Sequence, residues 1–285
     1  MSLINRWPEF RSLMRLDKPV GTYLLLWPTL WALWIAANGF PKLNLLVIFI
    51  AGVYLMRAAG CVINDFADRK LDGHVTRTQH RPLATGKISS KEAVLLCLGL
   101  CILSFILVLL TNMYTVILSV FALLLAGCYP FMKRYTHWPQ AVLGAAFAMG
   151  IPMGFAAQTN ATGLTAWLTF AAALSMTIAY DTYYAMVDKE DDLKIGIKST
   201  AVLFGRWDLA LIGFFQAITL LILVIVGLLN DLGVAFYIGV CVMTCLFVYQ
   251  NYLGRTRLTE NYFKAFINNH WASFSVWVGL VVNYW

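Results

Sequence analysis

Long apolar stretches alternate with short polar segments along the whole chain. Each stretch is long enough to cross a bilayer as a helix, which takes about 20 residues. The pattern predicts an all-α polytopic membrane protein with nine transmembrane helices. The predicted spans are 20–38, 43–66, 93–111, 114–131, 138–157, 164–186, 201–229, 232–252 and 265–285.

Composition agrees with this pattern. The chain is 60% hydrophobic and 12% charged, whereas soluble domains are about 25% charged. No Pro-, Gly- or Ser-rich linker divides it, so residues 1–285 are expected to form a single domain. The first 20 residues contain no apolar core of a signal peptide, so we expect an amphipathic lead-in without cleavage.

The polar connections alternate in charge. Those near 39–42, 112–113, 158–163 and 230–231 are almost uncharged, and those near 67–92, 132–137, 187–200 and 253–264 are charged. With a cytoplasmic N-terminus, 19 of the 21 Lys and Arg residues lie on the cytoplasmic side, the exceptions being Lys42 and Arg57. The positive-inside rule therefore predicts cytoplasmic acidic loops and a C-terminus on the opposite side of the membrane. This topology also explains the net charge of +7, so no nucleic-acid partner is implied.

Acidic residues are concentrated at the cytoplasmic ends of two spans. Eight of the 14 Asp and Glu residues lie there, three within 65–72 and five within 181–192. The spacing Asp-x-x-x-Asp occurs twice, as Asp68/Asp72 and as Asp188/Asp192. Residues three or four apart share one face of a helix, about 6 Å apart along its axis. Each patch therefore predicts a stripe of carboxylates, and the repeated spacing hints at a parallel internal duplication.

Two carboxylate stripes facing each other would repel unless a cation lay between them. Mg²⁺ suits that position, because it prefers carboxylate oxygens and bridges to substrate phosphates. The pattern therefore predicts a magnesium site and a phosphorylated substrate, with Lys and Arg from the same loops completing the site. The alternative is a solvated acidic loop edge that nearby Lys and Arg neutralise.

Arg57 is predicted to lie inside the second span, about two helical turns before Asn64. A charged side chain at this depth is costly unless it is paired, so it marks a functional site by default. It could pair with one of the carboxylates or hold an anionic group of a substrate. Lys133 and Arg134 end the fourth span on the same side, either as membrane anchors or as part of the site.

The chain also resembles a known family along nearly its whole length. It is similar to the UbiA-type intramembrane aromatic prenyltransferases, and within them to the hydroxybenzoate branch. The residues that carry the resemblance are Asp17-Lys18-Pro19-Val20-Gly21, Leu26-Trp27-Pro28-Thr29, Arg57-Ala58-Ala59-Gly60-Cys61-Val62-Ile63-Asn64-Asp65, Asp72-Gly73-His74-Val75, Arg81-Pro82-Leu83, Lys133-Arg134-Tyr135-Thr136, Tyr184-Ala185-Met186-Val187-Asp188 and Gly196-Ile197-Lys198-Ser199-Thr200.

The resemblance implies Mg²⁺-dependent transfer of a long polyprenyl group from polyprenyl diphosphate to 4-hydroxybenzoate, in ubiquinone biosynthesis. It also implies a bundle of nine transmembrane helices around a central cavity that opens sideways to the lipid bilayer. The membrane would be the bacterial inner membrane, with the C-terminus periplasmic. Asn64, Asp68 and Asp72 would hold Mg²⁺ and diphosphate together with Asp181, Asp188 and Asp192. Further substrate contacts would come from Arg69, Lys70, Arg134, Tyr184 and Lys198. Arg57 would bind the acceptor carboxylate, and Asp191 would assist deprotonation.

Two alternatives remain at this point. A prenyltransferase of the same superfamily could use another acceptor, such as haem, a naphthoate or a chlorophyll-type molecule. A cation-coupled transporter could use the aspartates as ion sites, although transporter sites usually lie near the middle of the bilayer and these acids lie at one edge.

Overall fold

The computed structural model describes residues 6–285 apart from the His74 side chain, and every regular element in that range is helical. The all-α prediction is confirmed. The helices are α1 (Trp7–Leu13), α2 (Val20–Ala37), α3 (Leu43–Asp68), α4 (Ser90–Leu109), α5 (Met113–Met132), α6 (Pro139–Ala148), α7 (Gly150–Thr159), α8 (Leu164–Ile195), α9 (Thr200–Phe204), α10 (Asp208–Leu229), α11 (Val234–Arg255) and α12 (Thr259–Asn283), with 3₁₀ turns at Asp72–His74 and Gly205–Trp207.

Seven of these helical stretches are long and apolar enough to cross a membrane: α2, α3, α4, α5, α6 with α7, α9 with α10, and α11. The two other long helices, α8 with 32 residues and α12 with 25 residues, coincide with the two remaining predicted spans and carry more polar side chains. The protein is therefore an integral membrane protein.

Two of the predicted spans are interrupted, which corrects their description as single helices. In the span 138–157, α6 ends at Ala148 and α7 begins at Gly150. Pro152 follows this break, and it has no N–H group with which to continue the helical hydrogen bonds. In the span 201–229, Gly205 adopts a positive φ of 56° and separates α9 from α10.

The long helices form a closed ring around the cavity. Each contacts the next in the order α2, α3, α4, α5, α6, α8, α10, α11 and α12, and α12 returns to α2. Trp31 of α2 is fully buried, and its Nε1 donates a hydrogen bond to the Ser273 carbonyl of α12 at 3.0 Å. The outer surfaces of α4 and α5 are mostly exposed and apolar, as expected for helices in contact with lipid.

Two helices are longer than the membrane is thick. At 1.5 Å per residue, α3 spans about 39 Å and α8 about 48 Å, against about 30 Å for the hydrocarbon core. The surplus turns carry the two acidic patches beyond the apolar layer, which leaves their carboxylates free to meet one another.

Candidate active site

The acidic ends of α3 and α8 meet on one face of the molecule. Arg77, in the segment after α3, donates from Nε to Asp188 Oδ1 of α8 at 2.9 Å and also contacts the Tyr184 hydroxyl. The Thr76 hydroxyl lies 3.2 Å from Asp191 Oδ2. The prediction that both patches emerge on the same side is confirmed by these contacts.

Between these two ends lies a small polar chamber of about 130 Å³. All six predicted metal ligands line it, as do two of the predicted substrate contacts. These eight residues are Asn64, Asp68, Asp72, Asp181, Tyr184, Asp188, Asp192 and Lys198. The fold therefore gathers, around one space, residues that are separated by more than a hundred positions in the sequence.

Basic side chains lie between the carboxylates of this chamber. Lys133 contacts Asp68, and Arg81 lies 3.1 Å from Asp72. A second ion contact of Arg77, from Nη2 to Asp188 Oδ2, measures 2.5 Å. These cations offset the repulsion between the two patches. Among the residues that the structure describes, no three His, Cys, Asp or Glu side chains lie close enough together to share an ion.

The chamber nevertheless fits a divalent cation by its donor set. Asp68 is 2% exposed, and its buried Oδ1 accepts no hydrogen bond, the guanidinium of Arg134 lying 3.9 Å away. A buried carboxylate oxygen without a hydrogen bond is costly, and an ion would satisfy it. Beyond the membrane, burial raises the pKa of Asp192 to about 7, and the neighbouring Asp188 contributes to the rise. A cation in the chamber would favour the ionised form of this carboxyl.

Three cationic residues of the chamber had no assigned role in the sequence prediction. Arg77, Arg81 and Lys133 all line it. Arg77 and Arg81 lie in one of the loops whose Lys and Arg residues were expected to complete the site, but neither was given a role, and Lys133 was left between membrane anchor and site. Their position beside the acidic ends was the available signal, but the sequence could not show that the loop folds back over the carboxylates.

Four predicted site residues line neither this chamber nor the larger cavity that adjoins it. Arg69 stacks on Phe66, Arg134 donates to the Ala67 carbonyl at 2.6 Å, and Lys70 is exposed. Hydrogen bonds from Lys194 and from the Thr76 backbone lower the pKa of Asp191. A lowered pKa makes Asp191 a weaker base than an ordinary aspartate.

A much larger cavity, of about 1130 Å³, adjoins the polar chamber and extends through the helix ring. Most of its wall is apolar, and α2 to α8 together with α12 contribute to it. Six residues line both spaces, so the two are continuous: Asn64, Arg77, Arg81, Tyr129, Asp181 and Tyr184.

Arg57 lines this large cavity from α3. The structure shows no carboxylate partner for it within the described residues, and its buried Nε has no hydrogen-bond partner. Its guanidinium contacts the Cys61 thiol and packs directly against Gly21 of α2, where any side chain would collide with it. Of the two interpretations of Arg57, structural pairing with a carboxylate is therefore not observed, and an anion-binding role remains.

Comparison with known proteins gives a consistent picture. Residues 25–274 match the UbiA prenyltransferase family. The chain is 59% identical over 282 residues to the 4-hydroxybenzoate octaprenyltransferase of Chromohalobacter salexigens, covering 99% of this chain and 95% of that one. It is 56% identical to the enzyme of the same name from Pseudomonas syringae pv. tomato, covering 97% and 93%.

Two solved structures are similar in fold. A UbiA homologue from Aeropyrum pernix K1 matches with a TM-score of 0.81 at 23% identity, covering 91% of this chain and 97% of that one. A UbiA homologue from Archaeoglobus fulgidus bound to GPP and Mg²⁺ matches with a TM-score of 0.72 at 19% identity, covering 96% and 99%.

Proposed function

Because the chain belongs to the UbiA prenyltransferase family, we propose that it transfers a long polyprenyl group from its diphosphate to 4-hydroxybenzoate and releases diphosphate. The group would be joined to the ring carbon ortho to the hydroxyl. The names of relatives that share more than half of its residues support this acceptor over haem or a naphthoate. The product would be an intermediate of ubiquinone biosynthesis.

One observation carries the proposal: a charged chamber opens directly into a large apolar cavity inside the membrane. A polyprenyl diphosphate has the same two parts, a highly charged head and an apolar tail. A transporter would need its ion site near the middle of the bilayer, whereas this chamber lies at the ends of α3 and α8. The arrangement therefore favours a prenyltransferase.

Mg²⁺ is the cofactor that we assign to the chamber. Asn64, Asp68, Asp72, Asp181, Asp188 and Asp192 would hold it, and Mg²⁺ was present in a solved structure of the same fold. The metal would neutralise charge developing on the leaving diphosphate. Arg77, Arg81, Lys133 and Lys198 line the same chamber and would bind the diphosphate oxygens, the arginines through bidentate contacts.

The acceptor would lie at the junction of the two cavities. Arg57 would bind its carboxylate, because this side chain lines the large cavity and forms no ion pair with a described carboxylate. That contact would direct the opposite, hydroxyl-bearing end of the ring towards the polar chamber. Ring attack then forms the new carbon–carbon bond while the bond to diphosphate breaks, and the ring proton passes to a base.

Asp181 is the base that position favours, because it lines both spaces, and the oxygen of its carboxylate that does not bind Mg²⁺ would accept the ring proton. Asp191 remains a prediction from the resemblance and lies farther out, beside Thr76 and Lys194. The apolar wall around the reacting carbon excludes water, which would otherwise capture the allylic cation.

We assign residues 1–285 to one catalytic domain in the bacterial inner membrane. The distribution of Lys and Arg supports a cytoplasmic N-terminus and cytoplasmic acidic loops. The acceptor and Mg²⁺ would then enter from the cytoplasm, and the prenyl tail from the bilayer.

The test is an assay of the purified protein in lipid with 4-hydroxybenzoate and octaprenyl diphosphate, followed by mass analysis of the product. We expect a 3-prenylated hydroxybenzoate when Mg²⁺ is present and none after chelation. Parallel reactions with a naphthoate and with haem compare acceptors. Product formed equally well without a divalent cation, or only from another acceptor, would contradict the proposal.

A further inference from the structure

The large cavity continues well beyond the junction where the acceptor would bind. On α3 its wall includes Asn64, Gly60, Met56, Gly52 and Ile48, which are spaced four residues apart and therefore follow one face of the helix. The residues of α3 from Val53 towards the far side of the membrane that line the cavity are all uncharged. This face leads from the polar chamber across the membrane.

Residues of α4, of α5 and of the connection between them also line the cavity. They include Ser104 and Val108 of α4, Thr111 of the connection and Thr115 of α5, towards the end of these helices away from the acidic patches. The cavity therefore extends from the polar chamber towards the far end of the helices.

Two glycines of α3 leave this passage open. A Cβ atom added at Gly60 or at Gly52 would meet no other atom within 4 Å. Both residues line the cavity, so any larger side chain there would project into its free space. At 1.5 Å per residue, Gly60 lies about 6 Å and Gly52 about 18 Å along the helix from Asn64.

We propose that Gly60 and Gly52 determine which prenyl donors fit, because the donor tail lies along this face of α3 and extends towards the opposite side of the membrane. This inference rests on the proposed function. Gly60 would lie beside the first isoprene units, next to the reacting carbon. Gly52 would lie several units farther along, where only a long tail reaches.

The test compares two donors, geranyl diphosphate and octaprenyl diphosphate, with 4-hydroxybenzoate as the acceptor. The variants are Gly52→Trp and Gly60→Trp. Gly99→Trp is the matched control, because Gly99 also has open space at its Cβ position but faces away from both cavities on α4. Gly52→Leu provides a smaller obstruction at the same depth. Thermal unfolding in detergent checks that each variant is folded.

We expect Gly52→Trp to lower kcat/KM for octaprenyl diphosphate by about 10-fold or more and to change it little for geranyl diphosphate, by steric exclusion from an apolar pocket. Gly52→Leu should show the same preference to a smaller degree. Gly60→Trp should lower kcat/KM for both donors, and Gly99→Trp should lower it for neither.

If folded Gly52→Trp and Gly52→Leu keep the wild-type ratio of kcat/KM for the two donors, the inference is overturned, because the tail then leaves the site by another route. That result is distinct from failure of the proposed function, in which the wild-type protein itself would prenylate 4-hydroxybenzoate with neither donor.

Discussion

At the scale of single residues, Arg57 shows that the position of a charged side chain within the membrane can indicate a functional role. Its position in an apolar stretch already predicted a functional role, because an intramembrane arginine needs a partner. The structure adds that Gly21 and Cys61 surround the guanidinium and that no described carboxylate pairs with it. The proposed function assigns this guanidinium to the carboxylate of the acceptor.

Replacing Arg57 by Ala should weaken use of 4-hydroxybenzoate specifically. A hydrogen bond to a charged group contributes about 1.5–3 kcal/mol, so KM for the acceptor should rise by about 10- to 100-fold. KM for the prenyl diphosphate should stay within about twofold, because that group is bound in the polar chamber. Steady-state kinetics with each substrate varied in turn measures both values.

The neutral acceptor 4-hydroxybenzamide is the control for this change. It lacks the carboxylate, so Arg57→Ala and the wild-type protein should use it about equally well. A rise in KM confined to the prenyl diphosphate would instead move Arg57 to the donor site.

At the scale of elements, a group of ion pairs outside the chamber joins the acidic end of α8 to neighbouring elements. Asp208, at the start of α10, is 2% exposed and lies 2.6 Å from Arg257 and 3.7 Å from Lys189. Lys189 also donates to the Gly205 carbonyl at 3.2 Å. Because Lys189 directly follows Asp188 in the chain, this cluster fixes one wall of the polar chamber.

Asp208→Asn should therefore affect both stability and metal use. Loss of the charged hydrogen bonds should lower the free energy of unfolding by about 1–3 kcal/mol and reduce the melting temperature. The Mg²⁺ concentration for half-maximal rate should rise, because α8 is no longer held in register. Thermal denaturation in detergent and a Mg²⁺ titration of turnover measure the two effects.

Asp231→Asn is the matched control, because Asp231 is exposed and has a positive φ of 48°, which asparagine tolerates well. Asp231→Asn should change neither the melting temperature nor the Mg²⁺ concentration for half-maximal rate. An Asp208→Asn protein with unaltered melting and Mg²⁺ dependence would show that the cluster does not position α8.

At the scale of the whole molecule, the ring of helices places the charged chamber at one end and encloses a mostly apolar cavity, lined by Arg57, behind it. The sequence was sufficient for the all-α class and for the meeting of the two acidic patches, and seven of the nine predicted stretches coincide with helical segments long and apolar enough to cross a membrane. Hydropathy and helical spacing are local properties, so they can be read from a single chain.

The sequence was insufficient wherever the site depends on loops. The segment after α3 folds back and brings Arg77 and Arg81 among the carboxylates, and no periodic pattern indicates that path. Asp191 was assigned to deprotonation by the resemblance alone, and in the structure it contacts Thr76 and Lys194 and lies outside the walls of both cavities. Side-chain direction at a helix end depends on tertiary partners, which spacing alone does not encode.

The proposed orientation predicts opposite labelling of two engineered cysteines. Ala161 and Arg255 are both exposed and lie in connections of opposite predicted sides. In intact spheroplasts, Ala161→Cys should react with a membrane-impermeant maleimide, and Arg255→Cys should react only after permeabilisation. The native protein is the background control, and reversed labelling would contradict the positive-inside assignment.

The central claim is that the acidic ends of α3 and α8 act together on one metal-bound diphosphate. A double-mutant cycle in the purified protein tests it, with Asp68→Asn, Asp188→Asn and the double variant. We expect each single change to lower kcat/KM by about 100-fold or more, and the double variant to be little worse than the poorer single one, because groups that act as a unit are not additive. Near-normal activity in either single variant, or losses that multiply in the double variant, would contradict the claim.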